Sequence, residues 1–228
     1  DVVVIAVPVS ATADVLRAAA PRLSAGNVRL IMDVGSTKRG AIEAAESVGG
    51  NIAERFVGAH PMAGDHRAGW AASRRGLFAG VPVFLSATRS MRADAMREAH
   101  HLWEALGARP LTMNAAVHDA MLAYTSHLPH IVSSALALAM GGTSGESESV
   151  IREAVGPGGR DALRLAAASP ALWTAIAMEN ADAIERSLAD YGEQLDRFRA
   201  AIRLRDEKEL HALFAAARKR AQALRTEG

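Results

Sequence analysis

The sequence predicts an α/β fold, with a parallel-sheet domain over residues 1–113 followed by an all-helical half over residues 114–228. Three observations carry this reading. Short β-branched apolar runs recur through the first half, helix-period stretches separate them, and beyond Asn114 the strand signals stop while apolar residues recur at helical spacing.

The first run, Val2 to Val7, is continuously apolar and ended by Pro8, which predicts a strand buried on both faces. A helix around Asp14 to Leu23, a second buried strand at Val28 to Val34 and a helix from Arg39 to Ser47 complete a βαβ rhythm. Phe56 to Ala59, Val81 to Ser86 and Arg109 to Met113 predict three further strands, the last reached through an amphipathic helix carrying Ala95, Ala99 and Leu102. Asn114 is a candidate N-cap for a long helix through Val117, Met121, Tyr124, Leu128, Ile131 and Leu138 up to Gly141-Gly142. Pro129 lies inside that helix, removes a backbone donor and is expected to kink it between His127 and His130. Gly156-Pro157-Gly158-Gly159 marks the clearest break, and Pro170 opens a long helical stretch through Trp173, Ile176, Ile184, Leu188, Leu195 and Phe198. These last helices carry more apolar positions than a thin layer can bury, so they are expected to face a second copy in a homodimer; cover for the sheet of their own chain is the alternative.

Composition narrows the function classes. With 26 basic against 25 acidic side chains, no broad electrostatic surface for nucleic acid is expected. No apolar run approaches the length that spans a bilayer, so no membrane role is expected. The absence of cysteine excludes disulfides, thiolate metal sites and cysteine nucleophiles, and fits a cytoplasmic protein.

Ligands of open parallel sheets collect at the carboxyl ends of the strands. There the second strand runs into Asp33-Val34-Gly35-Ser36-Thr37-Lys38 and the third into His60-Pro61-Met62-Ala63-Gly64. Ser36 reads either as a helix N-cap or as a hydroxyl facing the crevice, and Lys38 as a solvated helix residue. His60 is an imidazole in a turn, placed to accept a proton near neutral pH. His127 and His130 share one helical face, as metal ligands, pocket lining or satisfied core residues; no third ligand accompanies them, and no metal is assigned. Arg164 offers a two-pronged carboxylate grip or an ion pair to a neighbouring acid, and Trp173 an indole donor beside an apolar wall. No GxGxxG follows a strand, so the phosphate-cradling turn of a dinucleotide domain is missing from these residues.

Taken in order, Asp33-Val34-Gly35-Ser36-Thr37-Lys38, Phe56 to Gly64 and Leu77-Phe78-Ala79-Gly80 resemble the prephenate and arogenate dehydrogenase family. His118-Asp119, Ser126-His127-Leu128-Pro129-His130, Gly158-Gly159-Arg160-Asp161 with Arg164, and Pro170-Ala171-Leu172-Trp173 are similar to that family's helical-domain motifs, in the same order. The resemblance implies a partial Rossmann-like sheet domain followed by an all-helical dimerisation domain, with the active site between them. It also implies that the chain starts partway through the cofactor-binding domain, without the first βαβ unit, so that these 228 residues should bind cofactor poorly or not at all. Two departures bear on substrate preference and feedback control: His66 stands where many relatives carry an acid, and Ala162-Leu163 precede Arg164 where a threonine is common.

By this resemblance the reaction is oxidative decarboxylation of prephenate or arogenate with hydride transfer to NAD or NADP, a step of tyrosine biosynthesis. His60 takes the family's catalytic position with Ser36 as its hydrogen-bonding assistant, Arg164 the carboxylate-binding position, and His130, Trp173 and His127 those of substrate contacts. Pro8, Gly35 and Ser36, at the ends of the first two strands, are the candidate cofactor contacts. Two other readings are a catalytically silent binding or dimerisation module and another two-domain hydroxyacid dehydrogenase.

Overall fold

The computed structural model describes residues 1–64, 73–141 and 147–224. By contact density the chain forms two compact units, Asp1–Ile184 and Glu185–Gly228.

In the first unit, strands β1 (Val2–Ile5), β2 (Leu30–Asp33), β3 (Phe56–Pro61), β4 (Pro82–Ala87) and β5 (Arg109–Thr112) lie side by side in chain order. All neighbours pair in parallel except β3 and β4. The antiparallel pair departs from the all-parallel expectation, and its cause is the connection: parallel neighbours need a helical crossover, and among the described residues no helix lies between β3 and β4. Helices α1 (Val9–Ala25), α2 (Arg39–Val48) and α3 (Gly50–Arg55) cover one face, where Leu16, Ile31, Ile42, Ile52 and Phe56 pack together. Helix α4 (Ala93–Ala105) covers the other, where Leu30, Met32, Val57, Leu85, Ala99 and Trp103 do so. Side-chain alternation along β2 and β3 thus feeds two apolar layers, the reason their sequences read as unbroken apolar runs. Strand β1 is not buried on both faces as expected. It lies at the sheet edge, and although Val3 packs with Ile5 on the α1 side, Val2 and Val4 on the opposite side are exposed.

Helix α5 (Ala115–Leu122) starts at Asn114, whose side chain accepts from the backbone N–H groups of Ala116 and Val117 at 2.9 and 3.3 Å, the N-cap expected from the sequence. The helix then widens into one π-helical turn, Ala123–His127, before α6 (Leu128–Gly141). The Leu128 N–H reaches back to the Ala123 carbonyl, five residues away. Pro129 is accommodated by this wider turn just ahead of it, which gives the expected irregularity a definite form. Helices α7 (Glu148–Ala154) and α8 (Pro157–Leu163) and a 3₁₀ turn (Arg164–Ala167) lead to α9 (Pro170–Glu179) and α10 (Ala181–Leu204). The long helical stretch expected from Pro170 onward is present as two helices that part at Asn180, whose buried side chain is engaged elsewhere. In the second unit, the remainder of α10 and α11 (Glu207–Leu224) meet through an edge-to-face Phe198–Phe214 pair and an Arg197–Glu209 ion pair of 3.1 Å.

The end of β2 and the start of α2 share a buried ion pair. The Lys38 ammonium is wholly buried; it donates to the Asp33 carboxylate and, at 2.7 Å, to the carbonyl of Ala59 on β3. Lys38 is thus not the solvated residue expected from its position. Its ammonium ties the start of α2 to the ends of β2 and β3, with burial pulling its pKa down against the attraction of Asp33. Replacing Lys38 with Met leaves Asp33 buried without its cation, and we expect a loss of about 3–5 kcal/mol in urea unfolding. Adding Asp33→Asn should recover much of it, whereas a loss below about 1 kcal/mol for Lys38→Met alone would mean that the pair is not holding these segments.

Candidate active site

His60 is the penultimate residue of β3, at the carboxyl end of the sheet, and its ring meets that of His118 on α5 edge-on, with Nδ1 2.9 Å from His118 Nε2. His118 is fully buried, flanked on another side by Phe84 of β4, and its Nδ1 lies 2.7 Å from Asp119 Oδ1. Asp119 in turn accepts the backbone N–H of Lys38 on Oδ1 at 2.8 Å and that of Arg39 on Oδ2 at 2.9 Å. A residue 80 positions along the chain therefore caps the N-terminus of α2. Ser36, read as a possible N-cap from the sequence, is not one: the cap position is Lys38, and Asp119 supplies the acceptor. Ser36 stays half-buried in the turn between β2 and α2.

The second group of side chains comes from the helices. His127 closes the π-helical turn and is buried, with Nδ1 3.1 Å from the amide nitrogen of Asn180, and that same nitrogen donates to the Asp119 carbonyl at 2.8 Å. The ring of His130 stacks on Trp173 at 3.5 Å between centroids, and Trp173 also meets His127 edge-on at 6.1 Å. Arg164 opens the 3₁₀ turn, is exposed, and forms no ion pair among the described residues. The turn is tied to α6 by Ser133, whose hydroxyl donates to the Ala162 carbonyl and accepts the Ala166 N–H. His60 at the end of β3 thus feels His127 electrostatically, Trp173 contacts the rings of both His127 and His130, and Arg164 lies near His130.

Electrostatics distinguish these imidazoles. Burial, reinforced by His118, Lys38 and His127, pushes the His60 pKa down to about 3. Burial also brings His127 down to about 4, and lowers His130, which the nearby Arg164 cation presses further. Asp119 is held below the usual carboxylate range: burial acts to raise it, but hydrogen bonds from His118, Arg39 and Lys38 together outweigh this.

Pro8 is exposed at the start of α1, where no side chain caps the helix. A Cβ on Gly35 would meet Val9 Cγ1 at 2.8 Å and Asp33 Oδ2 at 3.1 Å, so the turn needs glycine to close against α1. The uncapped α1 start and the half-buried Ser36 hydroxyl leave polar groups at the ends of β1 and β2, a donor set of the kind that suits a dinucleotide. No group of three metal-ligating side chains is found among the described residues. His66 and Gly142 lie outside the described residues. Sequence reading missed the roles of His118, Asp119 and Asn180; the first two stand within a quoted motif, but only the fold shows that they face His60 and α2.

Fold and site together define a dehydrogenase of the nicotinamide-nucleotide type, a sheet followed by a helical half. Residues 1–112 match the family model of the prephenate dehydrogenase nucleotide-binding domain, and residues 114–216 that of the prephenate dehydrogenase dimerization domain. The chain belongs to the prephenate dehydrogenase family. It is 34% identical over 228 residues to a cyclohexadienyl dehydrogenase of Zymomonas mobilis, covering 100% of this chain and 76% of that protein. It is 30% identical to a prephenate dehydrogenase of Lactococcus lactis, covering 98% of this chain and 61% of that one. A prephenate dehydrogenase of Aquifex aeolicus, solved with hydroxyphenyl propionate and NAD+, superposes with a TM-score of 0.87 at 25% identity over 99% of this chain and 77% of its own. Among the described residues, no helix is long and apolar enough to cross a membrane.

The depressed histidines set the pH dependence of stability. In the unfolded chain His60 and His127 take up protons below about 6.5, whereas folded they do so only near about 3 and about 4. Between those limits the unfolded state holds up to about two more protons, so stability declines as pH falls from about 7 towards 4. Urea unfolding across that range should show this decline, and His60→Gln with His127→Gln should flatten it; an unchanged slope in the double variant would place the proton uptake elsewhere.

Proposed function

We propose that this chain carries the catalytic core of a prephenate or arogenate dehydrogenase acting in tyrosine biosynthesis with NAD or NADP. One observation supports the reading above others: His60 stands at the carboxyl end of β3, backed by His118 and Asp119 and near His127, which shares with His130 and Trp173 a ring cluster that Arg164 adjoins. Depressed well below neutrality, His60 is unprotonated at working pH and able to receive the substrate hydroxyl proton. Ser36 assists by hydrogen bonding to the same hydroxyl. Arg164, exposed and unpaired among the described residues, grips a substrate carboxylate, while the stacked His130–Trp173 pair and His127 line the ring.

Pro8, Gly35 and Ser36 would hold the cofactor, which when bound would supply a hydride acceptor. As hydride leaves the carbinol carbon, the hydroxyl proton passes to His60. The bond to the ring carboxylate then breaks to release carbon dioxide, its electron pair entering the ring, and aromaticity makes the sequence downhill. The division of labour falls at residues 1–113 and 114–228, in keeping with the Asn114 cap that starts α5 directly after β5. A homodimer in the cytoplasm completes the reading, supported by exposed Leu138 and Met178 on helices of the second half and by the dimerization model those helices match. A silent binding module of the same fold is the second reading, favoured by the lack of a GxGxxG turn in the sequence.

The test is absorbance of reduced nicotinamide with prephenate or arogenate and either cofactor, for the 228-residue chain and for one extended at its N-terminus. Turnover by either supports the enzyme; none from both, while both are folded, favours the silent module. In the active form His60→Ala should lower kcat by about a hundredfold or more. Arg164→Ala should act mainly by raising KM, because a carboxylate grip serves ground and transition states alike; unchanged KM would remove it from that role.

A further inference from the structure

The hydrogen bonds behind His60 run in one direction. Asp119 offers only acceptors, and it already receives the N–H groups of Lys38 and Arg39. Its 2.7 Å contact with His118 therefore requires the proton on His118 Nδ1. With its proton on Nδ1, the neutral His118 ring has a bare Nε2, which can only accept. The 2.9 Å contact with His60 then requires the proton on His60 Nδ1 and leaves His60 Nε2 as the free lone pair.

We propose that His118 and Asp119 are positioning residues that hold His60 in the single tautomer able to take a proton through Nε2. This rests on His60 as the proton acceptor and goes beyond it by naming what makes it one. Free imidazole divides its proton between two nitrogens, and the wrong tautomer would present N–H where a lone pair is needed. Once Nε2 has received the hydroxyl proton, the His60 cation donates Nδ1–H to His118, and the Asp119 charge beyond stabilises it without itself becoming protonated. The anchor is rigid at both ends. Asp119 is fixed by the start of α2, and its own carbonyl receives the Asn180 amide at 2.8 Å. The charged and titratable groups acting on His60 are His118, Lys38, His127 and Asp119, all from segments packed around it.

The experiment pairs ring-nitrogen NMR of the histidine-labelled 228-residue chain with kinetics of whichever form turns over prephenate or arogenate. His60 should show a protonated Nδ1 and a bare Nε2. His118→Phe keeps a ring against Phe84 but removes the acceptor. It should give a mixed His60 tautomer and a kcat lower by about a hundredfold with little change in KM. His118→Gln, whose side-chain oxygen can accept from Nδ1–H, should regain about tenfold of that loss. A wild-type His60 protonated on Nε2 overturns the proposal, as does a folded His118→Phe protein with unchanged tautomer and kcat. If His118→Phe does not fold, the wild-type tautomer decides. If His60→Ala also turns over normally, the reading of His60 as proton acceptor fails; if His60→Ala is inactive and His118→Phe is not, this inference alone fails.

Discussion

A buried carboxylate survives only where donors surround it, and the position of Asp119 follows from that requirement. Its two oxygens take the first backbone N–H groups of α2 and the His118 ring, so one side chain on α5 closes the helix that begins at the end of β2. The same arrangement that satisfies a helix start sets the imidazole behind His60. The buried Lys38 ammonium works beside it, because its bonds to Asp33 and to the Ala59 carbonyl hold the ends of β2 and β3 in the relation that His60 inherits. Structure and chemistry here use the same hydrogen bonds.

Most of the fold was legible because two-sided burial leaves a plain signature. The runs at β2 and β3 read as strands since their alternate residues enter two different apolar layers. The same reasoning overreached at β1, where an edge strand carries an equally apolar run with Val2 and Val4 exposed. Composition records what a residue tolerates, and strand order decides whether anything covers it. The reversal of β4 was illegible for a related reason: direction is set by the length and shape of the connection, which an apolar pattern does not encode. Within the helices, Pro129 announced a disturbance, but only the backbone shows a π-helical turn. Asn180 announced nothing, being one polar residue between Glu179 and Ala181 in a helical stretch.

The site was legible where a residue's own type and local turn were informative, as with His60 at a strand end and Trp173 after Pro170. It was illegible where the role depends on partners distant in sequence. Lys38 and Ser36 were read from their immediate setting, one as solvated and one as a possible cap, and both settings misled. The acceptor at the start of α2 comes from 80 residues away, and the acids and carbonyls around Lys38 come from two strands. A helix-start lysine becomes a buried anchor only through tertiary packing.

The seam between sheet and helices explains why the compact unit runs on to Ile184 although the strand signals stop near residue 113. Asp119 reaches back to α2, the side chain of Asn180 bonds both the Asp119 carbonyl and His127, and Arg39 lies 3.9 Å from Asp182. These are polar, directional links across what would otherwise be a slippery apolar boundary, and all but the exposed Arg39–Asp182 pair are buried or part-buried. Apolar packing alone would let α5 and α9 shift by fractions of a side chain at small cost, whereas a hydrogen bond weakens steeply with angle and distance. An imidazole that must present one nitrogen to a substrate needs that second kind of restraint. The helices beyond the strand signals are therefore part of the framework around His60, and the hydrogen bonds of Asp119 and Asn180 join what the boundary near residue 113 divides.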